Sequence, residues 1–149
     1  MDREIKGLGP NELLLIAARG GDKVTLEFLL EQEGAVADSS DASGSTALIY
    51  AAKNGHNNII NILLKNWNAS VDISDNDGRT ALYYAAKHSY IMIIESLLKG
   101  GADPNKLDNQ GKDPASVVVN PAAKKVIDDY IAKCEQADFD LMLNAMMGR

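Results

Sequence analysis

The chain has 149 residues, of which 46% are hydrophobic and 24% are charged, and its net charge is −6. This size and composition predict one soluble domain with enough apolar surface for a core. A single cysteine, Cys134, excludes an internal disulfide and a cysteine-rich zinc site, and no apolar run is long enough to span a bilayer. The charged N-terminus, MDREIKGLGP, lacks the apolar stretch of a signal peptide, so we expect a cytoplasmic protein. A nuclear location fits equally well, because no cluster of basic residues separates the two.

A repeat of 33 or 34 residues organises the chain. The segment GSTALIYAAKNGHNNIINILL, from Gly44, returns 34 residues later as GRTALYYAAKHSYIMIIESLL, from Gly78. An earlier copy, NELLLIAARGGDKVTLEFLL, keeps the Ala-Ala pair and the closing Leu-Leu, and a later one, GKDPASVVVNPAAKKVIDDYI, keeps only the apolar positions. Self-similarity at this period predicts a solenoid of stacked units whose terminal copies diverge because they have only one neighbour.

The period divides the chain into six segments. They are an N-terminal extension at 1–10, four units at 11–40, 41–74, 75–107 and 108–134, and an amphipathic C-terminal helix at 135–149.

Each unit is predicted to contain two short helices. Thr46, Thr80 and Asp113 stand where side-chain oxygens can cap the first helix of units two, three and four. Apolar residues then recur at spacings of three and four, which indicates helices. Gly55 supplies the positive φ that ends the first helix of unit two, whereas unit three has Ser89 there, at a higher steric cost.

The third unit resembles the ankyrin-repeat family. From Asp75, DNDGRTALYYAAKHSYIMIIESLLKGGADPNKLD follows the family frame D-x-x-G-x-T-P-L-H-x-A-A-x-x-G-H-x-x-x-x-x-x-L-L-x-x-G-A-D-x-N without a gap. The second unit follows it up to Leu64 and then has one extra residue. The resemblance covers about residues 11–131 and implies an all-α solenoid of helix-turn-helix units with β-hairpin-like turns. The family's histidine is replaced by Ile49 and Tyr83, which should weaken the polar network between units.

The resemblance also implies a binding surface. Ankyrin-type stacks usually recognise partners through the turn tips and the exposed side of the first helices, which line a concave groove. The corresponding positions of this chain carry several basic residues beside acidic turn tips, so we expect a partner protein with an acidic or amphipathic helical segment. The alternative is that these lysines and arginines are solvated helix-end residues that favour the helix dipole. The candidate partner-binding residues are Arg19, Lys53, Asn54, Asn76, Asp77, Arg79, Lys87, His88, Asn109 and Lys112.

No pattern in the sequence predicts catalysis, a cofactor or a metal. His56 and His88 lie one unit apart, and stacked units are roughly 10 Å apart, too far for both to bind one ion directly. Asp41, Asp75 and Asp108 fall at structural turn positions of the family frame, and no Gly-rich phosphate loop follows a predicted strand. Nucleic acid is disfavoured because the net charge is negative and no aromatic residues alternate with the basic ones.

The C-terminal segment predicts an amphipathic helix with methionine on its apolar face. Phe139, Met142, Leu143, Met146 and Met147 recur at spacings of three and four or lie beside such positions. This helix could cap the last unit, form the first helix of a further repeat, or dock on a partner.

Two functions follow as hypotheses. The first is a monomeric, non-catalytic interaction module, or scaffold, that binds a partner protein in the groove. The alternative is a structural spacer or assembly platform, including a fragment of a larger ankyrin protein, that contacts partners through its C-terminal helix.

Overall fold

The computed structural model describes residues 7–148, and these contain eight α-helices. Most of the predicted N-terminal extension and the last residue of the predicted C-terminal helix therefore lie outside the described residues. The prediction of an all-α fold is confirmed. The helices are α1 (Pro10–Gly20), α2 (Lys23–Gln32), α3 (Ala47–Asn54), α4 (Asn57–Asn66), α5 (Ala81–Lys87), α6 (Ile91–Lys99), α7 (Pro114–Val117) and α8 (Pro121–Met146).

The helices form two layers. The first helices of the pairs, α1, α3, α5 and α7, pack against one another in series, and α4, α6 and α8 form a second series behind them. Ala51, Ala52, Ala85 and Ala86 are fully buried between the first helices, and their small side chains allow the helix backbones to approach closely. We call the exposed side of α1, α3, α5 and α7, with the turns that precede these helices, the inner face.

The predicted helix starts and turns are present. The Thr46 and Thr80 hydroxyls accept hydrogen bonds from the backbone N–H groups of the residues three positions on, both at 3.3 Å. The Asp113 carboxylate accepts in the same way, at 2.8 Å. The turns before these helices are hairpin-like, and in the turn before α5 the Asp75 N–H donates to the Arg79 carbonyl at 2.9 Å. No helix within residues 7–148 is long and apolar enough to cross a membrane.

The C-terminal segment differs from the prediction. It is not a separate helix, because α8 runs without a break from Pro121 to Met146 and crosses the predicted boundary at residue 134. Ala123 and Ile127 are buried, but every residue from 132 to 148 is exposed. The interpretation as a cap is therefore wrong, and no turn separates the segment as the first helix of a further repeat. The physical reason is length: α8 has 26 residues, about 39 Å, whereas its neighbour α6 has nine, about 14 Å.

Ser89 adopts the left-handed conformation predicted from its place in the repeat, with a φ of 57°. The equivalent Gly55 has a φ of 77°. Replacing Ser89 by glycine is expected to raise the free energy of unfolding by about 0.5–1 kcal/mol, because glycine has no Cβ to strain, although it also loses more entropy on folding. Urea unfolding measures this change. Ser89→Ala is the matched control, since it retains the strain and should leave stability nearly unchanged. Equal effects of the two substitutions would contradict the presence of backbone strain at Ser89.

Candidate functional site

Basic side chains occupy equivalent positions on three consecutive inner-face helices. Arg19, Lys53 and Lys87 each lie in the last turn of their helix, α1, α3 and α5. Arg19 and Lys87 are exposed, whereas Lys53 is half-buried. Because these helices pack in series, the three cations form a column along the inner face. Together with Arg79 and Lys112 they are called the basic face below.

The basic face ends in a pocket between the third and fourth units. This basic pocket has a volume of about 380 Å³. Its lining residues are Arg79, Tyr83, Lys87, Lys112, Ser116 and Val117. The structure therefore brings together three candidate residues that lie 8 to 33 positions apart in the sequence. Neither Lys87 nor Lys112 forms a salt bridge within residues 7–148, so both can bind an acidic group from outside.

Arg79 is held inside the chain. Its Nε lies 3.5 Å from a carboxylate oxygen of Asp108, and its Cζ lies 5.0 Å from the centre of the Tyr83 ring. The side chain is only 23% exposed. Arg79 thus shapes the wall of the basic pocket, and much of its charge is already compensated by Asp108.

Lys53 is positioned by two tyrosine rings. Its Nζ lies 4.5 Å from the centre of the Tyr84 ring and 5.8 Å from the centre of the Tyr50 ring. Such cation–π contacts orient an ammonium group without neutralising its charge. Lys53 can therefore still attract an acidic partner, from a fixed position.

A tyrosine and an aspartate lock each of the two central turns. The Tyr50 hydroxyl donates to Asp41, and the Tyr84 hydroxyl donates to Asp75. The other oxygen of each carboxylate accepts from two backbone N–H groups of its own turn, at 3.0–3.1 Å. Sequence reasoning missed both tyrosines, although a Tyr recurs at 34 residues, each time nine residues after a turn Asp.

These contacts also set the ionisation of the turns. Partial burial acts to raise the pKa of Asp41, but hydrogen bonds from Ser43, Tyr50 and the Ser45 N–H lower it to about 2. Burial and the hydrogen bond to Asp75 raise the pKa of Tyr84 above its usual value of 10.0. At neutral pH the tyrosines therefore stay protonated donors and Asp41 stays ionised.

In the fourth unit a salt bridge takes the place of the hydrogen bond between tyrosine and aspartate. Val117 stands where units two and three have tyrosine, so Asp108 has no hydroxyl donor and is met instead by Arg79 of the preceding unit. The N–H groups of Lys112 and Gln110, together with Arg79, lower the pKa of Asp108 against the effect of burial. The ion pair therefore links the turn of unit four to the turn of unit three.

Two candidate asparagines join neighbouring turns. The Asn76 side-chain amide donates to the Ala42 carbonyl at 2.9 Å, and the Asn109 amide donates to the Asn76 carbonyl at 2.8 Å. Their carboxamide oxygens lie against Gly44 and Gly78, where an added Cβ would approach to 2.7 and 2.5 Å. Both residues thus have a structural role in aligning the turns, and their contact with a partner stays a prediction.

The remaining candidates lie at the edges of the inner face. Asn54 is exposed and donates to the Tyr50 carbonyl at 2.9 Å, and Asp77 is exposed at a turn tip. His88 is exposed and stacks on Tyr90 with ring centres 5.5 Å apart. His56 lies elsewhere, with its Nε2 3.0 Å from the Arg19 carbonyl. Among the residues described, no group of three or more His, Cys, Asp or Glu is placed to hold a metal ion.

Comparison with known protein families gives a match to ankyrin repeats. A family model of ankyrin repeats, with three copies, matches residues 14–108, which is more than half of the chain. No curated protein matches the sequence.

Proposed function

Because the chain belongs to the ankyrin-repeat family, we propose that it binds a partner protein on its inner face, through an acidic, amphipathic helical segment of that partner. Ankyrin repeats are generally protein–protein interaction modules, and the family is typically non-catalytic. For this chain we propose in addition where the partner binds and which chemistry it presents.

The basic pocket is the observation that carries this proposal. Lys87 and Lys112 are exposed on it and have no acidic side chain within salt-bridge distance in residues 7–148. They lie on a protein whose net charge is −6, so this group of basic side chains contrasts with the overall charge. An acidic segment is expected to bind there faster and in a defined register, because opposite charges raise the rate of encounter and fix the register of binding.

The rest of the inner face favours a segment that is also apolar. At the first unit Ile16 is 52% exposed, and Tyr50 is half-buried at the equivalent position of the second unit. Lys53 lies over the Tyr50 and Tyr84 rings beside them. A helix with an apolar stripe and acidic residues could cover these side chains while its carboxylates meet the lysines.

Affinity capture with matched variants tests the proposal. The immobilised chain would be exposed to a lysate of cells in which it naturally occurs, and retained proteins would be quantified by mass spectrometry. The double substitution Lys87→Glu with Lys112→Glu should reduce retention of the specific partner at least about tenfold, because it replaces attraction by repulsion.

Lys65→Glu with Lys99→Glu is the matched control. Both lysines are exposed in the last turns of α4 and α6, on the layer behind the inner face, and the change in net charge is the same. The control should retain the partner as the wild type does. If both double variants lose the partner equally, the effect is due to net charge alone. If neither variant loses the partner, the inner face is refuted as the binding site.

A further inference from the structure

The C-terminal part of α8 is a helix without a neighbour. All residues from 132 to 148 are exposed, and they continue the axis of α8 beyond its packing against α6. We call residues 132–148 the tail. Its apolar side chains include Phe139 at 52%, Met142 at 54% and Met146 at 77% exposure. Burying them would release water from a substantial apolar surface.

One face of the tail is acidic at its start and apolar towards its end. Glu135, Phe139, Met142 and Met146 follow one another at spacings of four, three and four, which places them on the same side of a helix. Asp138 lies beside Glu135, three residues further on. Between residues 134 and 148 the chain has three acidic residues and no basic one.

The inner face has the matching order of chemistry. Lys87 and Lys112 lie at one end, in the basic pocket, and the exposed Ile16 and half-buried Tyr50 lie towards the other. A helix laid along the inner face with its N-terminal end at the basic pocket would meet lysines first and apolar side chains next. Its C-terminal end would lie near Lys53, and a cation there is favourable for the helix dipole.

The lengths also agree. Residues 135–146 of a helix span about 17 Å at 1.5 Å per residue. The inner-face helices are separated by about 10 Å each, so a helix that starts at the basic pocket, between units three and four, reaches unit two after roughly 15 Å and unit one only after roughly 25 Å. The tail can therefore reach from the basic pocket to Tyr50 and Lys53 of the second unit.

We propose that the tail of one copy of this protein docks on the inner face of a second copy. Glu135 and Asp138 pair with Lys87 and Lys112, and the apolar stripe covers Tyr50 of the second unit. The tail does not reach its own inner face, because α8 lies in the other layer and is unbroken up to Met146. This inference rests on the proposed function, since it makes the chain's own tail one ligand of that surface, and it departs from the sequence prediction of a monomer.

The association is expected to be weak and sensitive to salt. One short helix buries less than the roughly 1,600 Å² of a standard interface, and both copies carry a net charge of −6. Each copy offers one tail and one inner face, so the contact is heterologous and builds either closed rings or short chains.

Mixing two defective forms tests the pairing directly. A chain shortened after Ala132 retains every buried residue but has no tail, and the variant Lys87→Glu with Lys112→Glu retains its tail but has a reversed pocket. By sedimentation velocity each form alone should be monomeric at concentrations where the wild type associates. Their equimolar mixture should form a 1:1 complex, because one supplies the inner face and the other the tail. A wild type that stays monomeric at about 1 mM, or a reversed-pocket variant that associates as strongly as the wild type, would overturn the proposal.

Substitutions on opposite sides of the tail sharpen the test. Phe139→Glu should raise the dissociation constant at least tenfold, whereas Leu141→Gln, at an exposed position on another side of the helix, should leave it within about twofold. The shortened chain separates this inference from the proposed function. If the tail does not dock, the shortened chain still captures its partner as the wild type does; if it docks, the shortened chain captures more, because the competing tail is gone.

Discussion

Gly78→Ala is expected to lower the free energy of unfolding by about 3 kcal/mol or more. Gly78 has a φ of 76°, where an L side chain is strained by about 1–2 kcal/mol. Its new Cβ would also lie 2.5 Å from the Asn109 side-chain oxygen and 2.9 Å from the Asn109 backbone nitrogen, so the turn of the fourth unit must move. The hydrogen bonds that join the turns would then be lost together with the alignment of the basic pocket.

Gly111→Ala is the matched control for this substitution. Gly111 has the same φ of 76°, but an added Cβ would meet nothing within 4 Å. It should therefore cost only the backbone strain, about 1–2 kcal/mol. Guanidinium unfolding of both variants measures the difference, which isolates the contact between neighbouring turns. If the two substitutions cost the same, the turns do not pack as described.

Asp75→Ala is expected to have the second large effect, again about 3 kcal/mol. The substitution removes the acceptor of the Tyr84 hydroxyl and of the Asp77 and Arg79 N–H groups. Asp75 and Tyr84 are both buried, so the hydroxyl is left without a partner and without free access to water. The ring that supports Lys53 would lose its anchor as well.

Asp41→Ala provides the comparison within the same chain. Asp41 makes the equivalent contacts with Tyr50 and its own turn, but it is exposed. Ser43 is exposed and Tyr50 is half-buried, so these two donors can turn to water, and the expected loss is about 1 kcal/mol. Chemical unfolding at neutral pH measures both. Equal losses of unfolding free energy would show that burial of the tyrosine–aspartate pair does not determine how much the pair stabilises the protein.

The sequence predicts the parts of this fold that repeat. The caps at Thr46 and Thr80, the glycine turn at Gly55 and the strained serine at Ser89 are each confirmed, because they depend on residues that are near in sequence and recur at the same position. Periodicity multiplies such local evidence.

The parts that the sequence did not predict depend on differences between units. Arg79 pairs with Asp108 of the next unit, where Val117 replaces the tyrosine of the earlier units, and a repeat frame does not reveal such an exchange of partners. The apolar spacing of the C-terminal segment predicts an amphipathic helix but does not distinguish a cap on the last unit from a further repeat or a docking helix. Periodicity carries no information on whether a neighbouring helix is long enough to cover it, and α6 is not.

The sequence likewise predicts some features of the candidate site and not others. The column of Arg19, Lys53 and Lys87 could be read from the letters that follow each Ala-Ala pair. The sequence could not show which of these cations are available to a partner, because the ion pair of Arg79 and the ring contacts of Lys53 join different units. The structure leaves Lys87 and Lys112 as the most accessible charges of the basic pocket.

Hydrogen–deuterium exchange of the protein, alone and with its captured partner, tests the binding surface most directly. We expect the partner to slow exchange in α3, α5 and the turn at residues 108–112, with little change in α4 and α6. Protection confined to α4 and α6, with α3, α5 and that turn unchanged, would contradict the claim that the inner face is where this protein binds.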